Sequence, residues 1–196
     1  MTKEFQEQQE KAFKPRRILF HSLGGIIPVL YYFLDISRKD ALTILAPLLV
    51  VLLIFDIIRL VDRRLNAKFI ATFPSLIHKY ETKQFNASTY FILSSFIAIL
   101  VFPKNIAVVA LCFLAFGDTI ASFVGTTVGR VKLFNKTLEG SVACFFVCFF
   151  VAFLLFDIRI SCVGALIATL VELLPLKIDD NLLIPIVSGA VMLAIL

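Results

Sequence analysis

Tryptophan is absent from the 196 residues, and histidine occurs only twice. No cysteine pair takes the C-x-x-C spacing of a metal or redox site, and no histidine cluster suggests zinc. Cys112, Cys144, Cys148 and Cys162 all lie in apolar runs, where they read as small buried hydrophobes, although Cys144 and Cys148 share a helix face. No G-x-x-x-x-G-K-[ST] phosphate loop occurs, and no glycine-rich kinase loop precedes a strand. A standard soluble nucleotide fold is therefore excluded. No small-residue cleavage pattern follows the first apolar run, so no cleavable signal peptide is expected. Charge is missing altogether from Gln84 to Phe102.

What is present is apolar. Hydrophobic residues make up 60% of the chain, 21 of them phenylalanine, and the mean hydropathy is +0.96. A soluble domain has about 45–50% apolar residues. The composition thus predicts an all-α integral membrane bundle.

Met1 to Arg17 forms a charged head with Phe5 and Phe13 set in it, fit to lie on a membrane surface as an amphipathic helix. Residues 18–196 read as a single transmembrane catalytic domain of about seven spans. These are Ile18–Leu34, Ala41 to about Leu60, a stretch within Gln84–Phe102, Ile106 into the 117–129 region, Gly140–Phe156, Ile160–Leu174 and Leu182–Leu196. Several fall short of the ~20 residues that a straight span prefers. Between the second and third spans lies a charged stretch, Val61 to Lys83, helical in part, whose Arg63, Arg64, Lys68 and Lys79 suit an anionic surface. Of the 19 Lys and Arg residues, 15 fall on the side of the head and four on the other. That asymmetry predicts a cytoplasmic N-terminus and an outer C-terminus. It also puts both polar motif loops on the cytoplasmic face, where soluble nucleotides are found.

The chain is organised around Gly117–Gly140, GDTIASFVGTTVGRVKLFNKTLEG. An acid within a membrane helix costs roughly 2.5–3.5 kcal/mol on insertion scales, which makes Asp118 a functional candidate. Asp118, Ser122, Gly125 and Gly129 fall on one helix face, small or polar, that a neighbouring helix could approach closely. Arg130, Lys132 and Lys136 follow within seven residues, with Asn135 and Thr137 beside them, and such a loop can neutralise a polyphosphate. It also serves as a positive-inside anchor. A second segment, ELLPLKIDDN, brings Glu172 near a helix end and Asp179, Asp180 and Asn181 at the start of the last span. These are oxygen ligands of the kind that hold Mg²⁺ with substrate phosphates, or the caps of a solvated loop. His21, at the start of the first span, reads as structural, and His78 and Glu81 in LIHKYE fit either role.

These motifs resemble the membrane lipid kinases that include dolichol kinase, phytol kinase and the yeast-type CTP-dependent diacylglycerol kinase. The matching pieces are RRILFH, FDIIRL, HKYE, GDTIASFVGTTVGR, NKTLEGS and ELLPLKIDDNLLIPIVSG, in the family's order from Arg16 to Gly189. The resemblance implies Mg²⁺-dependent phosphoryl transfer from a nucleoside triphosphate, commonly CTP, to a lipid alcohol such as diacylglycerol, a polyprenol or phytol. Carried over by position, the residues implied are Asp118, Gly125, Gly129, Arg130, Lys136, Thr137, Glu139, Gly140, Glu172, Asp179, Asp180 and Asn181.

On this reading Arg130 and Lys136, with Lys132 nearby, hold phosphates. Asp118 and one of Asp179 and Asp180 hold Mg²⁺, and Asp118 or Glu172 accepts the alcohol proton. The lipid hydroxyl enters between the fourth and sixth spans. A straight helix would separate Asp118 from Arg130 by about 18 Å, so the helix is expected to break near Gly125–Gly129. Two rival readings are a small carrier or ion-coupled transporter using Asp118 and Glu172, and a cytidylyltransferase-like enzyme, whose G-H-G-G signature is absent. The small size favours the inner membrane of a prokaryotic cell, with the active site facing the cytoplasm.

Overall fold

A computed structural model describes residues 22–72, 84–176 and 178–196. The head, His21, His78, Glu81 and Lys177 lie outside the described residues. The chain is mostly helical. In order come α1 (Ile26–Phe33), α2 (Arg38–Val61), α3 (Arg63–Thr72), α4 (Ala87–Val101) and α5 (Lys104–Cys112). A π-helical segment (Phe113–Asp118) continues α5 directly into α6 (Thr119–Thr127). Strands β1 (Lys132–Leu133) and β2 (Lys136–Thr137) follow, then α7 (Leu138–Phe153), α8 (Ile158–Leu173) and α9 (Asp180–Ile195).

Side-chain caps set four of the helix starts. Ser37 accepts from the Asp40 N–H at α2, Thr137 from Gly140 at α7, Asp157 from Ile160 at α8 and Asp179 from Asn181 at α9. Each supplies a partner for an N–H that the first turn leaves unpaired.

Among the described residues two helices are long and apolar enough to cross a membrane, Arg38–Val61 and the continuous Lys104–Thr127. They differ in position. The apolar window of the second is 72% buried, against 22% for the first. Lys104–Thr127 is the central rod: Ile106, Ala107, Val109, Ala110, Leu111, Phe113, Leu114 and Ala115 are fully enclosed. Around it pack α1, α4, α7, α8 and α9. Outer faces stay apolar and exposed, as at Val51 in α2 and Phe146 and Phe150 in α7. That much exposed hydrocarbon fits a lipid-facing surface. The shorter apolar helices Ala87–Val101, Leu138–Phe153 and Asp180–Ile195 overlap three of the expected spans but fall short of the length of the two that could cross a membrane.

Two local expectations change. The first apolar run is not one continuous helix, because the chain turns at Gly24 and Gly25 before α1 begins. The 130–139 loop is not irregular: it is a small antiparallel hairpin pairing Lys132 with Thr137 and Leu133 with Lys136. The expected break does occur, since the helix ends at Thr127 and the hairpin carries the chain back.

Candidate active site

The hairpin's return delivers Lys136 to three acids from three other elements. Its ammonium lies 2.7 Å from Glu172 Oε1, in the last turn of α8. It lies 3.3 Å from Asp180 Oδ2, at the first turn of α9, and 3.8 Å from Asp118 Oδ1, at the end of the π segment. Ser141, one turn into α7, donates to the other Glu172 oxygen at 3.5 Å. Glu172 is almost fully enclosed, while the Asp180 side chain is 30% and Lys136 34% exposed. The cluster therefore runs from an interior acid to an open rim. Burial works against the charge of Lys136, but Asp118, Asp180 and Glu172 outweigh it and hold its pKa above the ordinary lysine value.

The π segment aims Asp118. Its extra residue per turn shifts the register of α6 relative to α5, and such insertions often mark functional sites. Gly117 permits close approach to α7 here, since a Cβ on it would sit 2.6 Å from Cys148 Sγ.

The remaining sequence candidates divide. Gly125, Gly129, Gly140 and Thr137 build the fold-back itself. Thr137 Oγ1 would lie 2.8 Å from a Cβ on Gly125, and a Cβ on Gly140 would meet the Ala121 carbonyl at 2.6 Å. The small face 118–129 was expected to admit a neighbouring helix; at Gly125 and Gly129 it admits the hairpin instead, because the chain returns over them. Glu139 accepts the Val131 N–H at 3.1 Å, tying the hairpin base to α7. Arg130 and Lys132 are exposed on the hairpin, outside the contacts of the acid cluster. Asp179 accepts from Asn181 Nδ2 at 2.6 Å and from its N–H, so this pair caps α9.

Among the described residues no three acidic, histidine or cysteine side chains stand close enough together to hold an ion alone. The donor set nonetheless suits Mg²⁺. Three carboxylates share one ammonium, leaving a net charge of −2, and Mg²⁺ ordinarily takes one or two carboxylates with phosphates completing its shell.

A second buried polar cluster lies at the end of α2. Asp56 and Arg59 are fully enclosed and pair at 3.0 Å. Asp56 also accepts from the Asn86 N–H, the Asn86 amide and the Thr89 hydroxyl at 2.7–2.8 Å. Arg59 donates to Asn66 Oδ1 at 2.9 Å and the Gln84 carbonyl at 2.7 Å, and stacks over Phe69. FDIIRL carried this pair in the sequence, but its partners 25 to 33 residues away carried no signal. Among the described residues two buried side-chain atoms have no partner, Asn86 Oδ1 and Thr169 Oγ1.

Taken together, the helical membrane-type bundle carries a carboxylate–lysine cluster at one end of an apolar scaffold. The chain is 27% identical to CTP-dependent diacylglycerol kinase 1 of Saccharomyces cerevisiae, over 93% of this chain and 73% of that protein. It is 28% identical to the protein of the same name from Eremothecium gossypii, over 91% of this chain and 65% of the relative. An uncharacterized protein of Rickettsia prowazekii is 28% identical over 89% of this chain and 90% of its own length. The chain thus spans about two thirds to three quarters of the two fungal enzymes. No protein-family model matches it, and no solved structure does. The family resemblance read from the motifs stands: the chain is related to the CTP-dependent lipid kinases.

Proposed function

We propose that this protein is a membrane lipid kinase that moves the terminal phosphate of CTP to the hydroxyl of a lipid alcohol, with diacylglycerol the first candidate. The observation that carries the reading is the meeting of Lys136 with Asp118, Glu172 and Asp180 from four separate elements. Phosphoryl transfer needs positioning and charge neutralisation more than covalent chemistry, and this cluster supplies both signs of charge at one point.

The roles follow from position. Mg²⁺, when bound through Asp118 and Asp180, would neutralise the triphosphate and orient it. Lys136, at the cluster's open rim, turns to the phosphates. Arg130 and Lys132 on the exposed hairpin draw the nucleotide in. Withdrawal of the ammonium opens Glu172 Oε1, which takes the alcohol proton. The new bond joins the lipid oxygen to the γ-phosphorus, the bond to the β-phosphate oxygen breaks, and CDP leaves. The glycines, Thr137, Glu139, Asp179 and Asn181 fix the fold-back and the α9 start that hold these groups.

The charge asymmetry of the sequence supports about seven spans, a cytoplasmic N-terminus and a site facing the cytoplasm. Purified protein incubated with γ-labelled CTP, Mg²⁺ and diacylglycerol, a polyprenol or phytol should yield labelled lipid phosphate. No label on any lipid, or label on lipid in a parallel incubation with α-labelled CTP, would sink the kinase reading. The latter would point to cytidylyl transfer.

A further inference from the structure

Thr169 stands apart from every other buried serine or threonine on a described helix. Ser95, Thr119, Ser161 and Ser188 each donate to the carbonyl four residues earlier, at 2.6–2.8 Å. Ser94 donates to the Phe91 carbonyl, Thr89 to Asp56 and Ser141 to Glu172. Thr169 is 8% exposed, and its Oγ1 has no partner. A buried hydroxyl left unpaired is disfavoured and calls for an explanation, such as a ligand that completes it.

Its place suggests which ligand. Thr169 precedes Glu172 by three residues on α8, so the two side chains share a face about one turn apart. Glu172 is in the last turn, towards the hairpin; Thr169 lies one turn away from that polar end, into the apolar part of the bundle. Leu166, three residues earlier again, is 49% exposed, so the lipid-facing surface of α8 begins beside it. A ligand that meets Thr169 and Glu172 together therefore has a hydroxyl at its head and hydrocarbon behind it.

We propose that Thr169 is the acceptor-side positioning residue: its hydroxyl donates to the oxygen of the lipid alcohol and turns that alcohol's O–H towards Glu172. This rests on the kinase reading for its chemistry, and it adds the subsite that reading leaves blank. The nucleotide side of the cluster carries charge. The acceptor side needs only a neutral donor at the right depth.

The test is equilibrium binding of dioctanoylglycerol to the full chain in nanodiscs without nucleotide, compared with the deoxy analogue in which hydrogen replaces the hydroxyl. Wild type should prefer the alcohol. Thr169→Val should lower that preference about five- to tenfold, the value of one neutral hydrogen bond, and leave binding of the deoxy analogue unchanged. Thr169→Ser should retain the preference. Because the hydroxyl has no partner in the protein, Thr169→Val should melt no lower than wild type; Thr169→Ala provides a second variant with the same expected loss. In turnover, the KM for lipid should rise while the KM for CTP stays put. A wild type without alcohol preference overturns the role, as does a Thr169→Val chain that keeps it or weakens both ligands equally. Labelled transfer with no such preference would spare the kinase and remove Thr169, and preference without transfer would do the reverse.

Discussion

Lys136 Nζ lies 2.7 Å from Glu172 Oε1 across 36 residues of chain. Neither residue belongs to the central rod, yet their pairing closes the hairpin onto α8 and leaves Asp118 and Asp180 facing the same ammonium. Lys136→Met should lower phosphoryl transfer at least 100-fold, the usual loss when one group that stabilises developing charge is removed. It also strands three carboxylates. The variant should therefore melt below wild type in EDTA and recover part of the difference on addition of Mg²⁺, read by thermal unfolding in detergent. Equal melting with and without Mg²⁺ would show that the acids do not need a cation.

The pH dependence of this pairing has a definite sign. The folded pKa of Lys136 is raised by its acids. A raised basic group contributes stability that is fully present below its unfolded pKa, about 10.4, and lost only as pH climbs through the higher folded value. The melting difference between wild type and Lys136→Met should thus stay flat from about pH 6 to about pH 10. A decline near neutrality would mean that Lys136 is not the cation holding the cluster.

Asp118→Asn and Asp180→Asn separate metal binding from folding. Each keeps the side-chain shape and removes one charge from the cluster. Each should raise the Mg²⁺ concentration for half-maximal activity at least tenfold while leaving the protein folded. Glu172→Gln should instead lower the maximal rate with little change in the Mg²⁺ requirement. The same Mg²⁺ titration in all three variants would end the division of roles.

Much of this site could be read in the sequence because its parts are costly where they stand. Asp118 and Glu172 interrupt apolar runs, so each draws notice. The fold-back was legible for a simpler reason, since Asp118 and a basic loop twelve residues on cannot meet along a straight helix. Three things were hidden. The π segment Phe113–Asp118 packs against α7, α8 and α9, and no local residue type encodes it. Arg130 and Lys132 look equivalent to Lys136 by charge, but strand register selects which lysine turns to the acids. Thr169 is one hydroxyl in an apolar helix, and only the absence of a partner marks it.

The hairpin depends on space above Thr137. A Cβ on Gly129 would run into the Gly125 carbonyl and come within 2.7 Å of Thr137 Cγ2, and one on Gly140 would strike the Ala121 backbone. Backbone cannot yield as a flexible side chain can. Gly129→Ala and Gly140→Ala should each displace Lys136 and abolish activity, while Gly125→Ala, which meets only the Thr137 side chain, should keep a measurable fraction. A Gly129→Ala enzyme with wild-type turnover would remove the fold-back from the argument.

The Asp56–Arg59 pair tests whether a buried ion pair far from the acids in sequence governs the scaffold alone. It joins α2 and α3 to the start of α4 through Asn66, Gln84, Asn86 and Thr89. Removing one partner leaves a buried charge uncompensated, which costs about 3–5 kcal/mol. Arg59→Ala and Asp56→Ala should each lose that much in denaturant unfolding. Thr89→Val, which removes one hydrogen bond to a charged group, should lose about 1.5–3 kcal/mol. The double variant Asp56→Ala/Arg59→Ala should lose less than the two singles combined, because the second removal eliminates the stranded charge. The fraction that remains folded should keep its KM for CTP, since no residue of this cluster touches Lys136. A changed KM at unchanged stability would instead place Arg59 in nucleotide binding, and would make α2 part of the site rather than its frame.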